Sequence, residues 1–461
     1  MGEARQKTPL QLAFMAGAEG ETPRPGQPRA ESPVARHGTE RPMFPERLME
    51  EIVREENAKQ ALKRVQRNHG QPGVDGMTVE ALGGYLKVHW VTMKKELLEG
   101  RYQPAPVKRV EIPKPGGGMR KLGIPTVRDR LIQQMVLQVL QRGWDRTFSL
   151  HSYGFRPGRS AHQAVAQAQQ YLAEGYGMVV DIDLEKCFDR VNHDMLMSRI
   201  AKRVTDKRVL KLIRAYLKAG VMENGLVSPM EEGTPQGGPL SPLLSNIVLD
   251  DLDRELEKRG HRFVRYADDA NIYVKSERAG RRVMESITNF IAKRLKLTVN
   301  KTKSAVARPQ ERKFLGFSFT GGRELKRRIA PYALDRFKKR IRKRTNRNRG
   351  KSIEWVVEET STYLKGWGGY FGFCQTYSVL KDLDSWMRRR LRCLIWRRWK
   401  TPRRRIPELR SRGVSRNQAV PTAMSSHGPW RISHSKAVQI ALPNAYFDTL
   451  GLPRLAAMGR I

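Results

Sequence analysis

The sequence is short of three things, and each shortage excludes something. Its 461 residues include only 3 cysteines, Cys187, Cys374 and Cys393. The set is odd, scattered and without a Cys-x-x-Cys pair. That excludes a disulfide framework and a cysteine zinc site, and it suits a reducing cytoplasm. Long apolar runs are missing: nothing approaches the ~18 consecutive apolar residues of a membrane span. The stretch from Leu10 to Ala18, behind Arg5 and Lys7, resembles an export signal only faintly, because Gln11 interrupts a run that is already short. Acidic residues are scarce, with 46 Asp and Glu against 87 Lys and Arg, a formal net charge of +41. Such an excess repels itself and calls for a polyanion. Nucleic acid fits, since every neutralised phosphate releases a counterion. Charge alone leaves a ribosomal-type structural protein open. Apolar residues make up 39% of the chain, enough to build a core, so a mostly disordered polycation is excluded.

Residues 1–42 are rich in Pro, Gly, Glu, Arg and Ala without apolar periodicity, and are expected to form a disordered extension. "VKRVEIPKPGGGMRKLGIP" (107–125) predicts two strands around a Pro-Gly turn. Apolar spacing predicts helices over 127–143, 161–173, 192–219 and 279–296. "GMVVDIDL" (177–184) and "RKFLGFSFT" (312–320) read as strands, and "FVRYADDANIYV" (263–274) as a hairpin with a polar tip. Beyond about residue 326 the pattern is helical and strongly basic: residues 326–349 hold twelve Lys and Arg against one acid, and 386–405 hold ten and none.

In so basic a chain the acidic clusters are informative. Asp181 and Asp183 end an apolar strand, and Asp268 and Asp269 sit at the hairpin tip. Each pair alone could be ordinary turn aspartates. Together, carboxylates from separate strands repel one another, and a hard divalent cation such as Mg2+ removes that repulsion. Two such ions about 3.5–4 Å apart serve in-line phosphoryl displacement.

At this point the residues match a known family. The chain resembles the group II intron-encoded reverse transcriptases and maturases, in order, over about residues 45–461. The carriers are "IPKPGGGMRKLGIPTVRDRLIQ" (112–133), "HSYGFRPGRSAHQA" (151–164), "VVDIDLEKCFDRVNHD" (179–194), "GTPQGGPLSPLLSNIVLDDLD" (233–253), "RYADD" (265–269), "LTVNKTK" (297–303) and "KFLGF" (313–317). Seven motifs in order are specific where one would be weak.

The resemblance implies an α+β fold shaped like a right hand: fingers, a palm built on a small antiparallel sheet, and a helical basic thumb. It implies fingers and palm over 43–325, a thumb and maturase domain over 326–410, and a tail over 411–461. It makes Asp183, Asp268 and Asp269 the catalytic carboxylates holding two Mg2+ ions, with Asp181 in support. Phe188 resembles the steric gate against ribose. Pro235, Gln236 and Gly237 resemble the wall of the nucleotide pocket, the glycine letting backbone approach the ligand. Lys114 and Arg120 resemble the residues that hold the triphosphate, and Lys301 falls where a lysine can protonate pyrophosphate.

In "LDSWMRRRLRCLIWRRWK" (383–400) the apolar stripe predicts a packed face, and Arg388, Arg389, Arg392 and Arg397 a face for nucleic acid. Trp396 and Trp399 read as core. The implied activity is RNA-directed DNA synthesis from deoxynucleoside triphosphates on an RNA template with a DNA primer. The implied partners are the parent intron RNA, whose splicing and mobility it assists, and target DNA. No paired-cysteine nuclease domain is read. A bacterial cytoplasmic location, with nucleoid or ribonucleoprotein, is expected and no membrane. The alternatives are a domesticated or defence reverse transcriptase without splicing, and a non-enzymatic RNA-binding splicing cofactor on a polymerase scaffold.

Overall fold

A computed structural model describes residues 43–459 apart from 114–117, 186, 224–225, 229–231, 234–236, 323 and 347–349. The expected extension 1–42 and the pocket residues Lys114, Pro235 and Gln236 therefore lie outside the described residues. The fold is α+β. The chain divides into two compact units, the first ending at Ala307 and the second beginning at Arg308.

The first unit opens with helices α1 (Leu48–Ile52), α2 (Glu55–Arg67) and α3 (Leu82–Leu98). Strands β1 (Val107–Pro113) and β2 (Met119–Ile124) form an antiparallel hairpin with Ile112 opposite Arg120. Helix α4 (Val127–Asp145) starts where the Thr126 hydroxyl accepts the Asp129 N–H, an N-cap that satisfies one orphan donor of the first turn. It is buried on nearly every face. Helix α5 (Ala161–Ala173) starts in a reciprocal capping box between Ser160 and Gln163.

The stretch read as one helix over 192–219 is two, α6 (His193–Ala201) and α7 (Lys207–Lys218). The Asp206 carboxylate causes the break. It accepts the N–H of Arg208 at 3.0 Å, capping α7, and the N–H of the distant Met49 at 2.9 Å. The short strands β4 (Val221–Glu223) and β5 (Leu226–Ser228) join β1 to give a sheet of order β2-β1-β4-β5.

The second sheet positions the candidate site. It contains β3 (Met178–Ile182), β6 (Arg262–Tyr266), β7 (Asp269–Val274) and β8 (Ala305–Ala307), in the order β6-β7-β3-β8 and antiparallel throughout. Strand residues alternate between faces. Val180, Ile182, Ala270 and Ile272 join the apolar core that the sheet shares with helices α8 (Ser241–Lys258) and α9 (Glu277–Phe290). Asp181 and Asp183 consequently project from the other face.

In the second unit the strand expected over 312–320 is only β9 (Phe317–Phe319), paired with β10 (Arg327–Ile329). The "KFLGF" segment belongs to this unit. Its Phe317 packs against Tyr370, Phe371 and Phe373, with ring centroids 5.4–6.2 Å apart. Helices α10 (Pro331–Arg344), α11 (Ile353–Phe371), α12 (Tyr377–Arg398) and α13 (Pro402–Ser411) follow, then α14 (Arg416–Met424), α15 (Pro429–Ile432), α16 (Lys436–Ala441), α17 (Asn444–Thr449) and α18 (Leu455–Met458). Glycines of "KGWGGYFGF" make room for α18: a Cβ on Gly368 would stand 2.2 Å from Met458 Sδ, and one on Gly372 2.8 Å from the Met458 carbonyl. Among the described residues no helix is long and apolar enough to cross a membrane.

Candidate active site

The site starts from strand register. Ile182 pairs with Ala270, so Asp183, the next residue of its chain, comes opposite Asp269 at the start of β7. Between β6 and β7 only Ala267 and Asp268 make the turn, since Tyr266 pairs with Asp269. Ala267 has φ +58°, a left-handed conformation that costs a residue with a Cβ about 1–2 kcal/mol. Something must hold it there.

That holding group is Arg265, which sequence reasoning quoted in a motif but gave no role. Its guanidinium is fully buried. Nε–H donates to Asp253 Oδ1 at 2.7 Å and Nη2–H to Asp253 Oδ2 at 2.5 Å. Nη1–H donates to Asn246 Oδ1 at 2.9 Å and to the Ala267 carbonyl at 2.8 Å, and Nη2–H to Ser152 Oγ at 2.8 Å. All five N–H donors of the side chain are thereby used. The signal was present in the sequence: an arginine at a core-facing position of an apolar strand and an aspartate inside an apolar-rich helix need each other.

Asp268 is half-buried. Its pKa is raised, first by burial, then by the negative charge of Asp183, with Arg120 and Arg265 pulling it back. Beside it Cys187 is buried, and burial together with the Asp268 charge pushes its thiol up to about 12, so it is an inert packing residue. Asp183 is gripped from behind by the loop after α9. The Asn300 N–H donates to its carbonyl at 2.8 Å, its own N–H donates to Ser304 Oγ at 3.0 Å, and Lys303 Nζ lies 3.3 Å from its Oδ2. Lys301 is exposed. The intervening turn, in which Asn300 Oδ1 accepts from the Thr302 N–H and hydroxyl, delivers Lys303 to the carboxylate instead.

In donor type alone, oxygen-only carboxylates are what a hard divalent cation prefers; their placement does not form a gathered site. Among the described residues, no group of three or more His, Cys, Asp or Glu is gathered closely enough to hold a metal. Asp269 is exposed at the strand start, and Phe188 is half-buried in a 3-10 turn, Cys187–Asp189.

Gly237 and Gly238 also have a packing reason of their own. A Cβ on Gly237, whose φ is +136°, would stand 2.4 Å from the Gly123 carbonyl, and one on Gly238 2.3 Å from Gln133 Oε1. They let the loop approach β2 and α4. At the other end of the loop, Gly233 donates its N–H to the Val191 carbonyl at 2.8 Å, and the buried His193 Nε2 lies 2.6 Å from the Gly233 carbonyl. Arg120 is exposed on β2 and near enough to Asp268 to lower its pKa.

Two of the four arginines expected on nucleic acid are buried instead. Arg388 donates to Asp384 at 3.2 Å and to Asp448 at 3.0 Å. Arg392 donates to the Leu442 carbonyl at 2.7 Å and Asn444 Oδ1 at 2.9 Å, and lies over the Phe447 ring. The reason is the tail: α15 and α18 pack along α12, and Leu442, Asn444, Phe447 and Asp448 close over Arg388 and Arg392. Arg389 is half-buried, 4.1 Å above the exposed Trp430 ring. Arg397 alone of the four is exposed. Trp396 and Trp399 are core, at 1% and 4% exposure.

Residues 112–319 match the family model described as reverse transcriptase (RNA-dependent DNA polymerase), and residues 334–412 the group II intron, maturase-specific domain. The chain is 35% identical over 295 residues to Protein YkfC of Escherichia coli strain K12, covering 56% of this chain and 76% of that protein. It is 38% identical over 180 residues to the group II intron-encoded protein LtrA of Lactococcus lactis subsp. cremoris, covering 39% of this chain and 30% of that protein. It thus spans about three quarters of the first relative and under a third of the second. Among solved structures, the partial Cas6-RT-Cas1–Cas2 complex matches at 25% identity and TM-score 0.35, over 53% of this chain and 42% of that one.

Proposed function

Because the chain belongs to the family of group II intron-encoded reverse transcriptases and maturases, we propose that it performs RNA-directed DNA synthesis with its β3–β7 carboxylates and assists intron splicing and mobility with its basic second unit. The observation that carries the catalytic part is the register that sets Asp183 opposite Asp269 and beside the Asp268 turn. Divalent cations, two Mg2+ ions in our reading, would supply there the charge that lowers the pKa of a primer hydroxyl and offsets that of departing pyrophosphate.

The chain's own residues do the rest. Asp183, Asp268 and Asp269 would hold the cations. Arg120 and Lys114 neutralise the triphosphate oxygens. Phe188 faces the sugar and selects deoxyribose. Pro235, Gln236 and Gly237 wall the base pocket. Lys303, already at Asp183, is better placed than Lys301 to give a proton to pyrophosphate.

The template is RNA, the primer DNA, and the intron RNA and target DNA are the partners in mobility. Arg397 and the exposed cations of α10 (Arg336, Lys339, Arg342 and Lys343) fit a phosphate backbone. The work is done in the cytoplasm within a ribonucleoprotein. Three buried, unpaired cysteines agree with a reducing compartment.

The test is Mg2+-dependent extension of a DNA primer on RNA. Asp268→Ala is expected to abolish extension and leave RNA binding intact. Loss of both together would mean that the cluster is structural and the catalytic reading wrong.

A further inference from the structure

We infer that Arg265 is the positioning residue of the Asp268 turn, and that Asp253, Asn246, Ser152 and Gly154 form the buried frame through which it acts. The inference rests on the polymerase reading of the carboxylates and names what sets their geometry.

Three observations point the same way. The first is that the turn is held away from where its sequence would leave it. Ala267 occupies the left-handed region without being glycine, and such a residue persists only where its surroundings over-determine it. The second is that the Arg265 guanidinium donates directly to the Ala267 carbonyl, while its other four bonds go to groups that cannot move with the turn. Asp253 and Asn246 stand on α8, and Ser152 on the loop before α5. The third is steric. A Cβ on Gly154 would stand 2.2 Å from the Ala267 N, so bare backbone presses on the turn. The same Gly154 is tied to the frame because Asn246 Nδ2–H donates to its carbonyl at 2.9 Å. The backbone continues the clamp: the Arg265 N–H donates to the His151 carbonyl and the Tyr153 N–H to the Arg265 carbonyl, each at 2.9 Å.

The turn therefore has backbone on one side and a fully committed guanidinium on the other. Asp268 is the next residue. Its carboxylate inherits its direction from Ala267, and a displacement of about 1 Å at reacting groups costs on the order of 100-fold in rate. A lysine at 265 keeps the charge but offers a point donor in place of a planar fork, so it can meet Asp253 or Ala267 and not both in the same geometry.

The experiment uses the full chain and three variants, Arg265→Lys, Asn246→Ala and Ser152→Ala, with wild type and Asp268→Ala as controls. Three quantities are measured: steady-state primer extension on RNA, Mn2+ binding to the free protein by electron paramagnetic resonance, and thermal unfolding. Arg265→Lys is expected to lower kcat by about tenfold or more at unchanged KM for the nucleotide, and to weaken Mn2+ binding several-fold. Ser152→Ala removes one acceptor of five and is expected to stay folded with a modestly lowered melting temperature, while moving kcat and Mn2+ affinity in the same direction by less.

Wild-type kcat and Mn2+ affinity in folded Ser152→Ala and Asn246→Ala would overturn the inference. So would a loss of kcat that follows the melting temperature with no change in Mn2+ affinity. Should wild type itself fail to extend a primer, the polymerase reading fails, while Mn2+ binding still decides whether Arg265 orients the turn.

Discussion

The Lys303 ammonium lies 3.3 Å from the Asp183 carboxylate, and both sit where positive charge is needed. The lysine is mostly exposed, so the pair contributes only about 0.2–1 kcal/mol. That is enough to compete weakly with a cation for the same oxygen. Lys303→Ala is expected to tighten Mn2+ binding to the free protein by at most about fivefold and yet to slow primer extension, because the proton donor is gone. Lys301→Ala is expected to change neither. Titration calorimetry on the two variants, beside extension rates, checks this; equal behaviour of the two would remove Lys303 from the site.

Arg388 and Arg397 share α12 and should separate stability from RNA binding. Arg388→Ala leaves the buried Asp384 without its ion-pair partner, a change that costs about 3–5 kcal/mol when one member of a buried pair is removed. Its melting temperature is expected to fall steeply. Arg397→Ala is expected to melt like wild type and to bind RNA more weakly with a shallower salt dependence. Melting curves beside filter binding at two salt concentrations decide between this arrangement and a shared RNA-binding role.

Gly237→Ala places a methyl group against the Gly123 carbonyl at a backbone conformation that L residues rarely adopt. A strained backbone position of this kind costs about 1–3 kcal/mol. Part of that will appear as displacement of the loop, so the KM for nucleotide is expected to rise while RNA binding is retained. A variant with wild-type KM would show that the loop does not shape the pocket.

The tail is expected to loosen in acid. The pKa of Asp448 is lowered, chiefly by its hydrogen bond from Arg454, with Arg388 also contributing. A carboxylate depressed in the folded state binds fewer protons there than in the unfolded state. Its stabilisation is therefore present above the unfolded value near 3.8 and lost as pH falls through the lower folded value. Hydrogen exchange across α15 to α18 is expected to accelerate as pH drops through that window, after correction for intrinsic rates. Asp448→Asn is expected to exchange fast already at neutral pH. A pH-independent difference between the two proteins would assign the tail's stability elsewhere.

Much was legible in advance because it depends on neighbours in the chain. Alternation in "GMVVDIDL" put Asp181 and Asp183 on one face, and the polar tip of "FVRYADDANIYV" made a hairpin whose register follows from its two-residue turn. The helix at 161–173 carried its own capping box. Elsewhere the reading drifted. The break inside 192–219 has a local signal, Asp206 as N-cap of α7, which apolar spacing alone overlooks; the second bond of Asp206, to Met49 157 residues away, is not local. The expected arginine face of α12 was half wrong because Asp448 and Asn444, which claim Arg388 and Arg392, lie 60 and 52 residues downstream.

The sequence by itself determined the charge, the order of the motifs and the pairing of carboxylates with apolar strands, since strand period and turn chemistry act over a few residues. Only the tertiary structure decided which lysine meets Asp183, what the pocket glycines approach and which arginines face water. Those outcomes depend on distant partners, and a guanidinium is indifferent until it meets either a phosphate or a buried carboxylate. Arg265 shows both sides: its core-facing place on an apolar strand sets it apart among 87 basic residues, but which acceptors it meets on Asp253, Asn246 and Ser152 only folding decides.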